Sequence, residues 1–495
     1  MQRWSLVCFL FLMSTLPVSG QEAQHDHAPP EKLGNVSFPV TCASSVQTDF
    51  DRAIALLHSF AYKSAESAFE RITVRDPKCA MAYWGIAMTH FHQLWEPPVP
   101  AASRGIGRSA ISQASSIGSS SSSERAYIEA LAKIYADTSI PYSERVLSYQ
   151  RLVCALASAE PHSTEAQVFC GLALLASASP LDKSHENQKR SADILEPLYK
   201  RFPNHPGIVH YLIHAYDNPE LASRGLQPAR AYSRVAPSAP HALHMPSHIF
   251  TRLGLWQESI SSNLAARQAA HEQGDRGEEL HAMDYLVYAY LQVAQDQSAA
   301  DIIAQSKAMP NSNSPDFKIA YAVTAMQVRY FVEREQWRHA ASITNPVGAP
   351  PHVTAIATWA RALGYARTER IDEARREVGK LDVLERQLRD AGTTYWADQV
   401  AVLRQEALAW CAEGTQKHAE AVTLMQQAAD AEDAMEKLPV TPGPILPARE
   451  QLGYLLLGQK HQRAAAAEFR VVLRSAPNRL GAIRGLRLAS GSSAR

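Results

Sequence analysis

Six histidines fall between residues 205 and 248 of this 495-residue chain: His205, His210, His214, His241, His244 and His248. His210 and His214 are four residues apart, so on an α-helix they share one face. His244 and His248 repeat that spacing 34 residues further on. Imidazole is the commonest ligand for zinc, copper and non-haem iron. Two such pairs on neighbouring helices predict four ligand nitrogens, from His210, His214, His244 and His248. Three protein ligands and an open position would suit a metal-activated water. The spacing does not separate the metals, but export, argued below, favours zinc or copper over iron. His241, three residues before His244, extends the stripe. So does His281-Ala-Met-Asp284, where Asp284 would be an oxygen ligand or the acceptor that sets a ring's tautomer. His58 is an outer member that only curvature of the chain would bring near. Two other readings use the same residues: a hydrogen-bonded ladder with Tyr211, Tyr285 and Asp284 as partners, and metal-free acid–base chemistry by one or two histidines.

The elements that would position these rings follow from the prolines. Pro203 and Pro237 are also 34 residues apart, and each histidine pair begins seven residues after its proline. The same punctuation recurs at Asp76-Pro77, Glu160-Pro161 and Ala476-Pro477. A proline between helices is tolerated because its missing N–H and fixed φ cost nothing there. Trp84 lies seven residues after Pro77, and Glu450 takes the same place when Pro477 is projected back one repeat. The amphipathic stretch Ser64–Ile72 precedes Pro77, and a second helix is predicted from Ala80. Ala65, Phe69, Pro77, Trp84 and Gly85 at one end, and Gly453, Ala465, Phe469 and Pro477 at the other, resemble the tetratricopeptide repeat family. That resemblance implies an all-α solenoid, a right-handed superhelix of helix–turn–helix units whose concave groove is lined by the first helix of each pair. Between residues 285 and 435 the prolines are mostly absent and unit boundaries cannot be read. Five segments also resemble a group of exported bacterial tetratricopeptide proteins: Phe38–Cys42, Cys79–Gly85, His241–His248, His281–Tyr285 and Thr441–Pro444. This second resemblance adds an architecture and no activity.

Lysine plus arginine and aspartate plus glutamate number 49 each, a formal net charge of zero. No basic stripe is evident, which argues against nucleic-acid binding. Residues 1–20 read as a signal peptide, with Arg3, an apolar run from Leu6 to Leu16 and small residues up to Gly20. The run is short for a bilayer span and none of spanning length follows, so the mature chain is expected without a transmembrane segment, periplasmic or extracellular. A flexible leader is expected over 21–44 and the repeat array over 45–490, broken by a serine-rich loop at 113–123 and a proline-rich connector at 439–447. Export permits disulfides. Cys42–Cys79 and Cys154–Cys170 are the pairs that adjacent elements would bring together, buried free thiols being the alternative, and Cys411 is left over.

HExxH, a phosphate-binding glycine loop and GxSxG are all missing from the sequence. Two functions therefore remain open: a transition-metal site with or without catalysis, and a non-enzymatic scaffold whose groove takes a peptide or protein partner in the cell envelope. The histidine-rich groove lacks the lysine and arginine clusters that bind acidic peptide tails.

Overall fold

The structure, a computed structural model, describes residues 31–491 except 95–98, 137, 311–313, 315 and 346. The expected signal peptide and the first part of the leader lie outside the described residues. The chain from Lys32 onward forms one compact unit. Among the described residues every regular element is a helix, from Gln47–His58 to Leu480–Ala489. No helix among them is long and apolar enough to cross a membrane.

Two kinds of joint set the repeat. The first is the proline joint. Asp76, Glu160, Phe202, Ala236 and Ala476 each end a helix at φ between −138° and −123° and ψ between 57° and 85°. Proline forces that choice, because its ring clashes with an α-helical residue before it. The second joint needs no proline. Ala61, Leu255, Asp275, Gln295, Gln336, Arg370, Thr393, Lys417 and His461 each donate their N–H to the carbonyl five residues back, at 2.8–3.0 Å. The residue before each has φ between +52° and +72°, the left-handed position of a Schellman helix end. Three of those nine are glycine, Gly254, Gly274 and Gly392, so at the other six the motif is silent in sequence. It marks the unit boundaries through residues 285–435, where the proline pattern gives out.

Consecutive helices pair, and the first of each pair forms an inner layer. Every residue of Pro206–Tyr216 is buried, whereas the preceding Glu186–Arg201 buries only Ser191, Ala192, Leu195 and Leu198. The outer helices are thus amphipathic and the inner ones are core. Phe69 and Phe469 fill the gap inside their pairs. A Cβ on Gly85 would come within 2.4 Å of Phe69, and one on Gly453 within 2.6 Å of Phe469, so only glycine admits the ring.

The array returns on itself. The Trp256 indole N–H donates to the Asn478 carbonyl (2.9 Å), and the Gln292 side chain accepts the Leu480 N–H (3.0 Å). The proline-rich connector runs along the inner helices: the Tyr395 hydroxyl accepts the Leu438 N–H, Tyr285 donates to the Thr441 carbonyl, and Arg329 to the Pro444 carbonyl. The next helix, Ala448–Gly458, starts at its end.

Two expectations need correction. Residues 32–44, expected as part of a flexible leader, are packed. Phe38 is buried among Phe50, Trp84, Tyr127 and Phe169, with ring centroids 5.2–6.2 Å away, and Asn35 donates to the Asn204 carbonyl. The serine-rich loop is shorter than 113–123, because the helix Ala101–Ile117 continues through it until Gly118 turns out at φ +69°. Serine in a helix costs only a fraction of a kcal/mol, roughly 0.5, which burial of Ile111 and Ala114 outweighs. Cys42–Cys79 and Cys154–Cys170 are disulfides, and Cys411 is a buried thiol.

Candidate metal centre

Three successive inner segments carry the histidines: Pro206–Tyr216; Pro240–His244 with Pro246–Arg252; and Arg276–Gln292. Pro246 has no N–H to give, so the middle segment is divided at Met245. Met245 stays helical (φ −53°, ψ −35°), and His244 and His248 therefore remain on one face. His210, His244 and His248 are at most 1% exposed, His241 and His281 2%, and His214 8%. The stripe expected to line an open groove is an interior.

The rings assemble into two sets of three. One ring nitrogen from each of His210, His214 and His241 lies within 4.8 Å of the other two, and the same holds for His244, His248 and His281. Within the pairs, Nε2 of His210 and Nε2 of His214 are 3.1 Å apart, and those of His244 and His248 3.0 Å.

Hydrogen-bond direction makes the second pair unusual. The Asn263 amide N–H donates to the Ser259 carbonyl (2.8 Å), which leaves its Oδ1 to accept from His244 Nδ1 (2.7 Å). His248 Nδ1 donates to Asp217 Oδ2 (2.8 Å). That oxygen can only accept: burial works against its charge, but the Lys437 ammonium and Arg252 guanidinium hold Asp217 well below the usual carboxylate range. Both Nδ1 atoms thus carry the proton. In neutral rings both Nε2 atoms then present lone pairs to each other at 3.0 Å. Protonation is a poor remedy, because burial, reinforced by neighbouring histidines, pushes His244 well below its ordinary value and His248 down to about 4. A cation between the nitrogens removes the conflict. Two nitrogens at about 2.0–2.1 Å from one zinc ion, at roughly 95–110°, stand about 3.0–3.4 Å apart.

The first set is held similarly on its outer side. His210 Nδ1 donates to the His58 carbonyl (2.6 Å) and His241 Nδ1 to Glu278 Oε2 (3.2 Å). His214 differs: its Nδ1 has no hydrogen-bond partner, so its tautomer is free and its Nε2 can donate to His210.

His58 belongs to a neighbouring group with Glu165 and His205. Glu165 accepts from His58 Nε2 (2.9 Å) and His205 Nε2 (2.8 Å), while His58 Nδ1 accepts from the Tyr211 hydroxyl (2.9 Å) and His205 Nδ1 from the Ile208 N–H (3.3 Å). Every proton there has a place. Burial raises Glu165, but the two imidazoles outweigh it and bring it down to about 2.

Other expected members stand apart. Asp284 joins neither set of three. It is fully buried, its two oxygens accept no hydrogen bond, and burial, moderated by the Arg329 guanidinium, raises it to about 6. Trp84 packs in the aromatic core with Phe38, Tyr127 and Phe169. Glu450 pairs with Arg479 at 2.7 Å in the last unit. Projection along the repeat put both on the stripe, but packing against the leader and the returning C-terminal unit reassigns them.

The residues that orient the rings were not singled out from the sequence: Asp217, Asn263 and Glu278. A signal existed for two. Asp217 is three residues after His214 and Glu278 three before His281, so each shares a helical face with a histidine. Asn263, on an outer helix, carries none. Tyr285 closes the far side, its hydroxyl 3.3 Å from His248 Nε2 and its ring 4.7 Å from that of His244. A cavity of about 920 Å3 opens beside His214 and Asp217, walled by Tyr142, Leu181, Tyr395 and Trp396.

No family model matches the sequence, and no curated protein sequence matches it. Among solved structures, the chain is similar to the human IFIT1 dimer with m7Gppp-AAAA, at TM-score 0.38 and 10% identity over 84% of this chain and 90% of that one. It is also similar to Naa15/Naa10 bound to HypK-THB, at TM-score 0.26 and 11% identity over 85% and 62%. A third is the TPR domain of P58(IPK), at TM-score 0.22 and 12% identity over 91% and 100%.

Proposed function

We propose that this protein is an exported metalloprotein whose stacked inner helices build a buried histidine centre for a transition metal, zinc or copper. The observation that carries the reading is the His244–His248 pair, two lone-pair nitrogens 3.0 Å apart with both outer nitrogens committed as donors. The acceptors on those outer nitrogens are the kind that orient metal-bound imidazoles and raise their basicity. The cavity beside His214 supports entry of an ion or small molecule. The two disulfides support an oxidising compartment, where zinc or copper is favoured over iron(II).

A peptide-binding groove is the weaker reading. The inner face holds residues 438–445 of the chain itself through Tyr395, Tyr285 and Arg329, so an extended peptide would have to displace them.

Elemental analysis of the full chain purified from its exported compartment tests the metal reading. We expect about one equivalent of zinc or copper or more, and a melting temperature that rises with added metal. Less than about a tenth of an equivalent, unchanged after incubation with either metal, would remove the proposal.

A further inference from the structure

Resting on that reading, we infer that the centre holds two ions, one in each set of three histidines. Both sets follow one plan. Each takes a pair spaced by four from one inner segment, His210/His214 or His244/His248, and a third histidine from the next, His241 or His281. One ion holding all six rings would put every pair of ligand nitrogens within about 4.2 Å, whereas the nitrogens that lie within 4.8 Å of one another form two separate threes, yet neither set is remote from the other. The His214 and His248 ring centroids are 5.9 Å apart, as are those of His241 and His244. The sets are therefore adjacent and interleaved, with His241 and His244 on the same helix serving different ions.

The outer nitrogens show the same plan. His210, His241, His244 and His248 each direct Nδ1 at a carbonyl, carboxylate or amide oxygen, so in both sets Nε2 is the nitrogen offered inward. A lone structural histidine needs one such partner by chance; four rings oriented alike by four different acceptors describe a built site. Three imidazoles leave each ion an open coordination position. His214 sits at the wall of the cavity that reaches the surface, so the first set is the accessible one and the second lies deeper, against Tyr285.

Titration of metal-free full-length protein with cobalt(II), followed by its visible absorption, tests the inference. The spectrum of cobalt bound by nitrogen in low coordination should grow to a break at about two equivalents. His241→Gln and His281→Gln should each lower the break to about one equivalent, by emptying different sets. A wild-type break at one equivalent overturns the two-ion inference and leaves the metal reading intact. No spectral change and no retained cobalt overturns both. A variant that loses both ions, or keeps both, overturns the assignment of one ion to each set. The wild-type break point decides between one ion and two without any variant.

Discussion

Two histidine groups share the same buried layer and behave oppositely. Around Glu165, His58 and His205 meet a carboxylate that accepts from both, and their remaining nitrogens accept from Tyr211 and the Ile208 N–H. Protons alone satisfy that group. Around His244 and His248 the acceptors lie on the outside, at Asn263 and Asp217, and the inward nitrogens confront each other. Composition and burial hardly distinguish the two groups. What separates them is which side of each ring meets an acceptor. A carboxylate placed between imidazoles makes a structural knot, whereas a carboxylate placed behind an imidazole leaves the inward nitrogen its lone pair.

Glu165→Ala would break the comparison most severely. It strands two buried imidazole donors, and we expect a loss of about 3–5 kcal/mol in denaturant unfolding with bound metal per folded chain unchanged. A parallel loss of metal would show that the groups act as one site. His248→Ala should do the reverse. In the wild type, metal at about one hundred times its dissociation constant adds about 2.7 kcal/mol. The increment from the ion that His248 helps to hold should vanish from the variant's melting curve, while its metal-free stability changes less.

A finer cut is Asp217→Asn, which keeps the shape but weakens the acceptor behind His248. Chelator competition should show metal held about 10–100-fold more weakly, whereas unchanged affinity would remove Asp217 from the site. The smallest expected effect contrasts Glu165 with a partly buried carboxylate, Glu432. Burial, with Asp433 nearby, raises Glu432 to about 8. Its folded value exceeds its unfolded one, so the folded state holds an extra proton and stability falls as pH rises from about 4.5 to about 8. Glu165 has the opposite sign: its contribution is present above its unfolded value and lost as pH falls toward 2. Glu432→Gln should raise stability at pH 8 by on the order of 1–2 kcal/mol and flatten the alkaline limb of the unfolding profile. An unchanged alkaline limb would show that Glu432 ionises freely in the folded chain.

Much of the fold was legible wherever a joint is written in proline, as at Phe202-Pro203 and Ala236-Pro237, because a ring that forbids helix in the preceding residue acts locally. Joints built on a left-handed residue other than glycine were not legible. Ala294, Glu335 and Gln416 take φ of 52–58°, a strain accepted because the Schellman bonds and helix packing on both sides impose it. The packed leader was missed because Phe38 has little local context, and its place depends on helices that follow it by tens of residues.

For the candidate site the division is similar. Helix geometry alone put His210 with His214 and His244 with His248, because four residues make about one turn whatever surrounds them. The 34-residue recurrence put the pairs on neighbouring inner helices. Only the tertiary structure decided that His241 joins one pair and His281 the other, that Asp284 joins neither, and that residues 438–445 cover the face. The donor direction at each ring was also decided there. It depends on Asp217, Asn263 and Glu278, each supplied from a different helix than the ring it orients, and such partners are chosen by packing across the layers rather than by spacing along one chain segment.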